Sequence, residues 1–154
     1  MIDIATLKAW LGDSLKAAGL RGRGAVWRME GVDVQYVVHI DRPPYGKRLA
    51  VEIGLDLQSA VQRPRATDCQ IVLYLEFLPF ARRSEVAEAL DLDSNLAPEQ
   101  RRRELDDAVA GLGRYLADHV TLAAVRAAYR AGDFRSCFVH KEARAVLEAE
   151  LTAE

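Results

Sequence analysis

The chain has 154 residues, half of them apolar, 29% charged and 7% aromatic, with a formal net charge of -2 at pH 7. Roughly two thirds of the unfolded surface of such a chain is buried in one core without help from disulfides or a structural metal, and the composition excludes a disordered chain or a membrane span. A net charge near zero gives no global pull toward nucleic acid or an anionic bilayer. The two cysteines, Cys69 and Cys137, show no CxxC spacing and no disulfide framework, which suits free thiols in a reducing compartment. The stretch from Met1 to Gly12 lacks a basic region followed by an apolar run, so no signal peptide is expected and the reading is cytoplasmic.

Asp3 is placed to cap a first helix whose apolar stripe is Ile4, Leu7, Leu11, Leu15 and Ala18, with Trp10 beside it. Gly19 supplies the left-handed position after it and Leu20 the hydrophobic contact. Arg21 to Gly24 reads as a glycine-punctuated loop, and Ala25 to Met29 as a first strand ending at a turn around Gly31. Three segments then alternate with a period of two: Val32, Val34, Tyr36, Val38 and Ile40; Leu49, Val51, Ile53, Leu55 and Leu57; Cys69, Ile71, Leu73, Leu75 and Phe77. Alternate strand side chains point to opposite sides, so these sets are expected to share one buried sheet face. Pro43, Pro44 and Gly46 make the stretch after Asp41 an antiparallel connection into a third strand from Arg48 to Leu57. A polar connection from Gln58 to Thr67, broken by Pro64, leads to a fourth strand from Asp68 to Phe77, which Pro79 ends.

The second half changes to a helical period. A short helix starts at Ser84, and Pro98 opens a long one with Leu105, Val109, Leu112 and Leu116 on one face. Thr121 caps a helix from Leu122 to Ala131 that Gly132 terminates, and a last helix is expected from Ser136 to Glu150. Helix, four-stranded antiparallel meander, then helices packed on one sheet face is an α+β fold, a single domain over residues 1–154. The other face is expected to be at least partly wet, because Asp33, Gln35, His39, Glu52, Asp56, Asp68, Gln70 and Glu76 fall on it.

The leucine-bearing first helix ending in Ala18-Gly19-Leu20, the basic loop Arg21-Gly22-Arg23-Gly24, the strand Val26-Trp27-Arg28, the run Val34-Gln35-Tyr36-Val37-Val38 and then Val51-Glu52-Ile53-Gly54-Leu55 occupy about the first half of the chain. Together they resemble an uncharacterised bacterial family, domain of unknown function 4304, although Asp41-Arg42-Pro43-Pro44 stands where that family carries a polar segment. The resemblance implies an α+β fold and no activity. Similar small domains occur beside bacterial toxins as immunity proteins, an analogy that favours a partner-binding role.

The polar sheet face is the candidate site. Gln35, His39, Glu52, Asp56, Asp68, Gln70, Tyr74 and Glu76 are expected to form a surface that meets a protein partner, with the acids Glu52, Asp56, Asp68 and Glu76 pairing with a basic rim on it. A second grouping, the basic patch of Arg21, Arg23, Arg28, Arg42, Lys47 and Arg48 with Arg63 and Arg65, could meet phosphates or an acidic surface. Nucleic acid is the weaker partner, since no recognition motif accompanies the arginines. Gly19, Gly22 and Gly24 follow a helix and precede a strand, the reverse of a phosphate loop. Arg101, Arg102 and Arg103 among Glu99, Glu104, Asp106 and Asp107 read as a solvated helix face. Cys137 and His140 fall close on a helix but lack a third orienting group, and His119 reads as a cation at a helix end. The expected function is therefore a non-enzymatic protein-binding module without cofactor or metal, in its sharpest form an immunity protein that covers a toxin's active site. The alternative is a small-molecule or metal-dependent activity using His39, Glu52 and Asp56, and a plain oligomeric module is a third reading.

Overall fold

The computed structural model describes residues 2–57 and 64–149. The Asp3 carboxylate accepts from the Thr6 N–H at 2.8 Å, satisfying one of the orphan donors at the start of α1, Ile4–Ala17. At its other end Gly19 takes a φ of 97°, and the Gly19 and Leu20 N–H groups donate back to the carbonyls of Lys16 and Leu15. Leu20 is buried there, as the sequence predicts.

The sheet has six strands where four are expected, all antiparallel and in chain order: β1 Arg21–Arg23, β2 Val26–Glu30, β3 Val34–Asp41, β4 Ala50–Leu57, β5 Ile71–Tyr74 and β6 Phe138–Val139. The α+β class stands. β1 escapes a sequence reading because its hairpin is built on glycine: at Gly22, with φ 155°, a Cβ would lie 2.2 Å from the Val26 carbonyl oxygen. β6 lies in the segment that reads as the start of the last helix, and it forms by pairing with β5. Val32, expected in the second strand, lies outside β3 and is exposed, and Arg48 lies ahead of β4 in an isolated bridge to Asp91. The expected ten-residue strand from Asp68 to Phe77 shrinks to β5, flanked by two short 3-10 turns, Ala66–Asp68 and Leu75–Phe77.

The helices are α2 Arg83–Leu90, α3 Pro98–Asp118, α4 Leu122–Arg130 and α5 Lys141–Glu148. One hydrophobic core joins the inner sheet face, with Tyr36, Val38, Ile53 and Leu73 among it, to Leu7, Leu11 and Leu15 of α1 and Leu105, Val109, Leu112 and Leu116 of α3. Arg101 departs from its expected solvated place. It is buried, and its Nη1 donates to the carbonyls of Glu88, Ala89 and Asp91 at 3.2, 2.9 and 2.8 Å, tying the end of α2 to the first turn of α3. The last helix starts at Lys141 because Ser136 and Cys137 lie in a turn, Phe138 and Val139 form β6, and His140 is the cap, its Nδ1 accepting from the Glu142 N–H.

The outer sheet face is not left open. Residues 64–70, the described part of the β4–β5 connection, lie across it, and Ala66 and Cys69 pack with Val37 in a second, small apolar cluster. Cys69 therefore lies on the side opposite to the one its alternation predicts. Gly54 makes the approach possible: a Cβ there would lie 2.5 Å from the Cys69 sulfur and 2.6 Å from the Ala66 carbonyl oxygen. Covered on both faces, β4 is buried from Val51 to Leu57 without a break.

Candidate functional site

Strand register sorts the outer face into rows. Val26, His39, Glu52 and Tyr74 are successive cross-strand partners, as are Arg21, Arg28, Val37, Gly54, Val72 and Phe138, and then Glu30, Gln35 and Asp56. The returning connection covers the middle of the second row and part of the third. Asp56 is only 2% exposed: its Oδ1 accepts from the Gln70 N–H at 2.9 Å, while the Gln70 side-chain oxygen accepts from the Leu57 N–H at 2.9 Å. These two residues clasp the connection to β4 and are not available as a binding surface. Gln35 is half-buried opposite Asp56 in register, and Asp68 is exposed on its 3-10 turn.

The first row remains as a site. His39 Nδ1 lies 3.4 Å from Glu52 Oε1. Asp41, two residues along β3 and so on the same face, completes a set in which imidazole and both carboxylates each bring one ligating atom within 4.8 Å of the others. Glu52 is 5% exposed. Its burial, and then the like charge of Asp41, push its carboxyl above the ordinary range, with His39 opposing. Tyr74 closes the row. Its phenol is held above its usual range by burial and then by Glu52 and Glu76, and its ring meets Phe77 edge to face at 6.1 Å.

Glu76 is predicted to face solvent from a strand, but the chain has left the sheet by then. It sits in the Leu75–Phe77 turn, 6% exposed, with Oε2 lacking a hydrogen-bond partner among the described residues. Burial raises its carboxyl, and Arg48 and Arg83 oppose this. His39, Glu52 and Tyr74 are thus the expected residues that the fold gathers. Asp41 is the addition that sequence reading missed, and the signal was its spacing of two from His39.

The expected basic patch divides. Arg21, Arg23 and Arg28 stand together on the β1–β2 hairpin, Arg42 and Lys47 line a cleft against the start of α1, and Arg48 is held near Asp91 and Glu76. Arg63 lies outside the described residues, and Arg65 is exposed. Cys137 is in a turn rather than on a helix, and burial pushes its thiol up, away from the thiolate that a nucleophile needs. His119 stacks on Tyr115 at 4.0 Å between ring centroids, with Nδ1 2.6 Å from the Tyr115 carbonyl.

No family model, curated protein or solved structure matches the chain. No helix among the described residues is long and apolar enough to cross a membrane.

Proposed function

We propose that the protein works through the His39, Asp41 and Glu52 cluster, holding a divalent cation there in a metal-dependent function on a small ligand that reaches the cation beside Tyr74. The observation that carries this reading is the convergence of one imidazole and two carboxylates within 4.8 Å. A nitrogen and two oxygens suit zinc, manganese or ferrous iron. Two carboxylates this close in a partly buried place repel each other, with His39 as the opposing group, and a divalent cation would reverse that balance. Isothermal titration of zinc or manganese into chelator-treated protein tests it. One equivalent should bind, and His39→Ala and Asp41→Asn should each weaken binding about tenfold or more while leaving the circular dichroism unchanged. A parent chain that takes up neither metal overturns the proposal.

The protein-binding reading, with toxin inhibition as its sharpest form, keeps one observation in its favour. Phe138, 58% exposed, and Tyr45, 88% exposed, are large aromatic residues of the kind that anchor interfaces. Its contact differs from the one expected, because Glu52, Asp56 and Glu76 are buried and Asp68 alone of the four acids is exposed. Co-purification with the product of a neighbouring reading frame, lost on Phe138→Ala with cation uptake intact, would support it; co-purification unaffected by Phe138→Ala and Tyr45→Ala would remove that surface.

A further inference from the structure

Two clefts adjoin along the exposed side of α1. One, of about 790 Å³, opens between the start of the helix and the β3–β4 loop, with Lys8, Arg42 and Lys47 around Ile2, Ile4 and Leu92. The other, of about 690 Å³, opens between the helix and β1, with Lys8, Lys16, Arg21 and Arg23 around the exposed Ala5 and Ala9 and the edges of the buried Leu20 and Trp27. Ala5 and Lys8 line both, so the two meet there. None of these six cations forms an ion pair among the described residues. The two acids in the walls are engaged elsewhere: Asp3 caps α1, and Asp13 lies 4.0 Å from Arg102. A chain with a net charge of -2 thus carries a strip of unpaired positive charge over an apolar floor.

We infer that this strip docks an acidic peptide segment with aliphatic side chains set among its carboxylates. The floor receives the aliphatic groups and the rim the carboxylates, the arrangement by which charge complementarity sets register. The apolar floor decides against a nucleic-acid strand, because base binding needs an open aromatic face, and Trp27 is almost wholly buried with its ring against Gly12. This surface shares no residue with the His39, Asp41 and Glu52 cluster, and it stands whether or not that cluster holds a cation.

The test is fluorescence anisotropy of a fluorescein-labelled peptide with leucines spaced through a run of glutamates, titrated with the full chain. Binding should saturate and weaken from low to physiological salt. Arg21→Glu with Arg23→Glu should weaken it about tenfold or more, whereas the equal charge change at exposed Arg103 and Arg114 of α3 should leave it within about twofold. Ala9→Trp alters no charge and lies at an exposed position lining the second cleft; by filling that cleft it should weaken binding about tenfold. His39→Ala should leave peptide binding unchanged. Equal binding of a glutamate and serine peptide, tighter binding of single-stranded oligothymidine, or indifference to Ala9→Trp would each overturn the inference.

Discussion

Gly54→Ala asks how firmly the returning connection is seated on the sheet. The added methyl would lie 2.6 Å from the Ala66 carbonyl oxygen and 2.7 Å from the Ala66 Cα. Ordinary contact needs about 3.4 Å, so backbone must move by roughly 0.8 Å, and overpacking of this kind costs about 1–3 kcal/mol. The connection, not β4, should yield, because β4 is hydrogen-bonded to a strand on each side. Its lifting also uncovers Val37 and Cys69, and partial loss of that burial adds about 1 kcal/mol. We expect a total loss of about 3 kcal/mol, within the 5–15 kcal/mol typical of a domain, so the variant still folds. Urea unfolding measures the loss. In a Cys137→Ser background, the rate of Cys69 modification by a thiol reagent reports the lifting. Cys69→Ala should not rescue Gly54→Ala, since the Ala66 backbone is as close as the sulfur. Stability within about 0.5 kcal/mol of the parent, with Cys69 equally protected, would refute the account of the covered face.

Arg101→Ala should cost about 2–3 kcal/mol by urea unfolding, because it removes a buried guanidinium that donates to the Glu88, Ala89 and Asp91 carbonyls; Ser94 still donates to the first and last of these, so the Ala89 carbonyl loses most. Arg101→Lys should recover only part of it. Glu76→Gln should raise stability at neutral pH by about 1 kcal/mol. Burial lifts the Glu76 carboxyl, so the folded chain keeps that proton to higher pH than the unfolded chain does, and stability is complete below the ordinary carboxyl range and declines as pH rises through it toward the folded value. The advantage of Glu76→Gln should accordingly vanish near about pH 4, and a gap that stays constant with pH would contradict it.

What could be read from the sequence was what local chemistry decides. Asp3, the leucine stripe and Gly19 specify α1 within their own neighbourhood, and Pro98 with its apolar row does the same for α3. The alternation through β3 and β4 is equally local, and it predicts His39 and Glu52 on one side of the sheet, where the register makes them cross-strand partners. The errors arose where burial came from elsewhere in the fold. Cys69 and Leu75 are buried and continue the alternation of β5, yet each belongs to a segment that has left the sheet. β6 exists only because β5 offers an edge, and nothing within Phe138 and Val139 announces that.

The same distinction separates Asp56 from Glu52, which the period of two treats as equivalent. Both point to the outer side and both are buried. Asp56 has the Gln70 N–H as a fixed donor, so its burial is compensated and its place in the fold is explained by fastening. The Glu52 carboxyl is driven upward by its burial and then by the like charge of Asp41, with His39 opposing. A buried carboxylate in that position works against folding, and an apolar residue would serve β4 as well. Under the proposed reading a cation shared among His39, Asp41 and Glu52 would reverse that balance, turning the repulsion between the carboxylates into attraction for the ion.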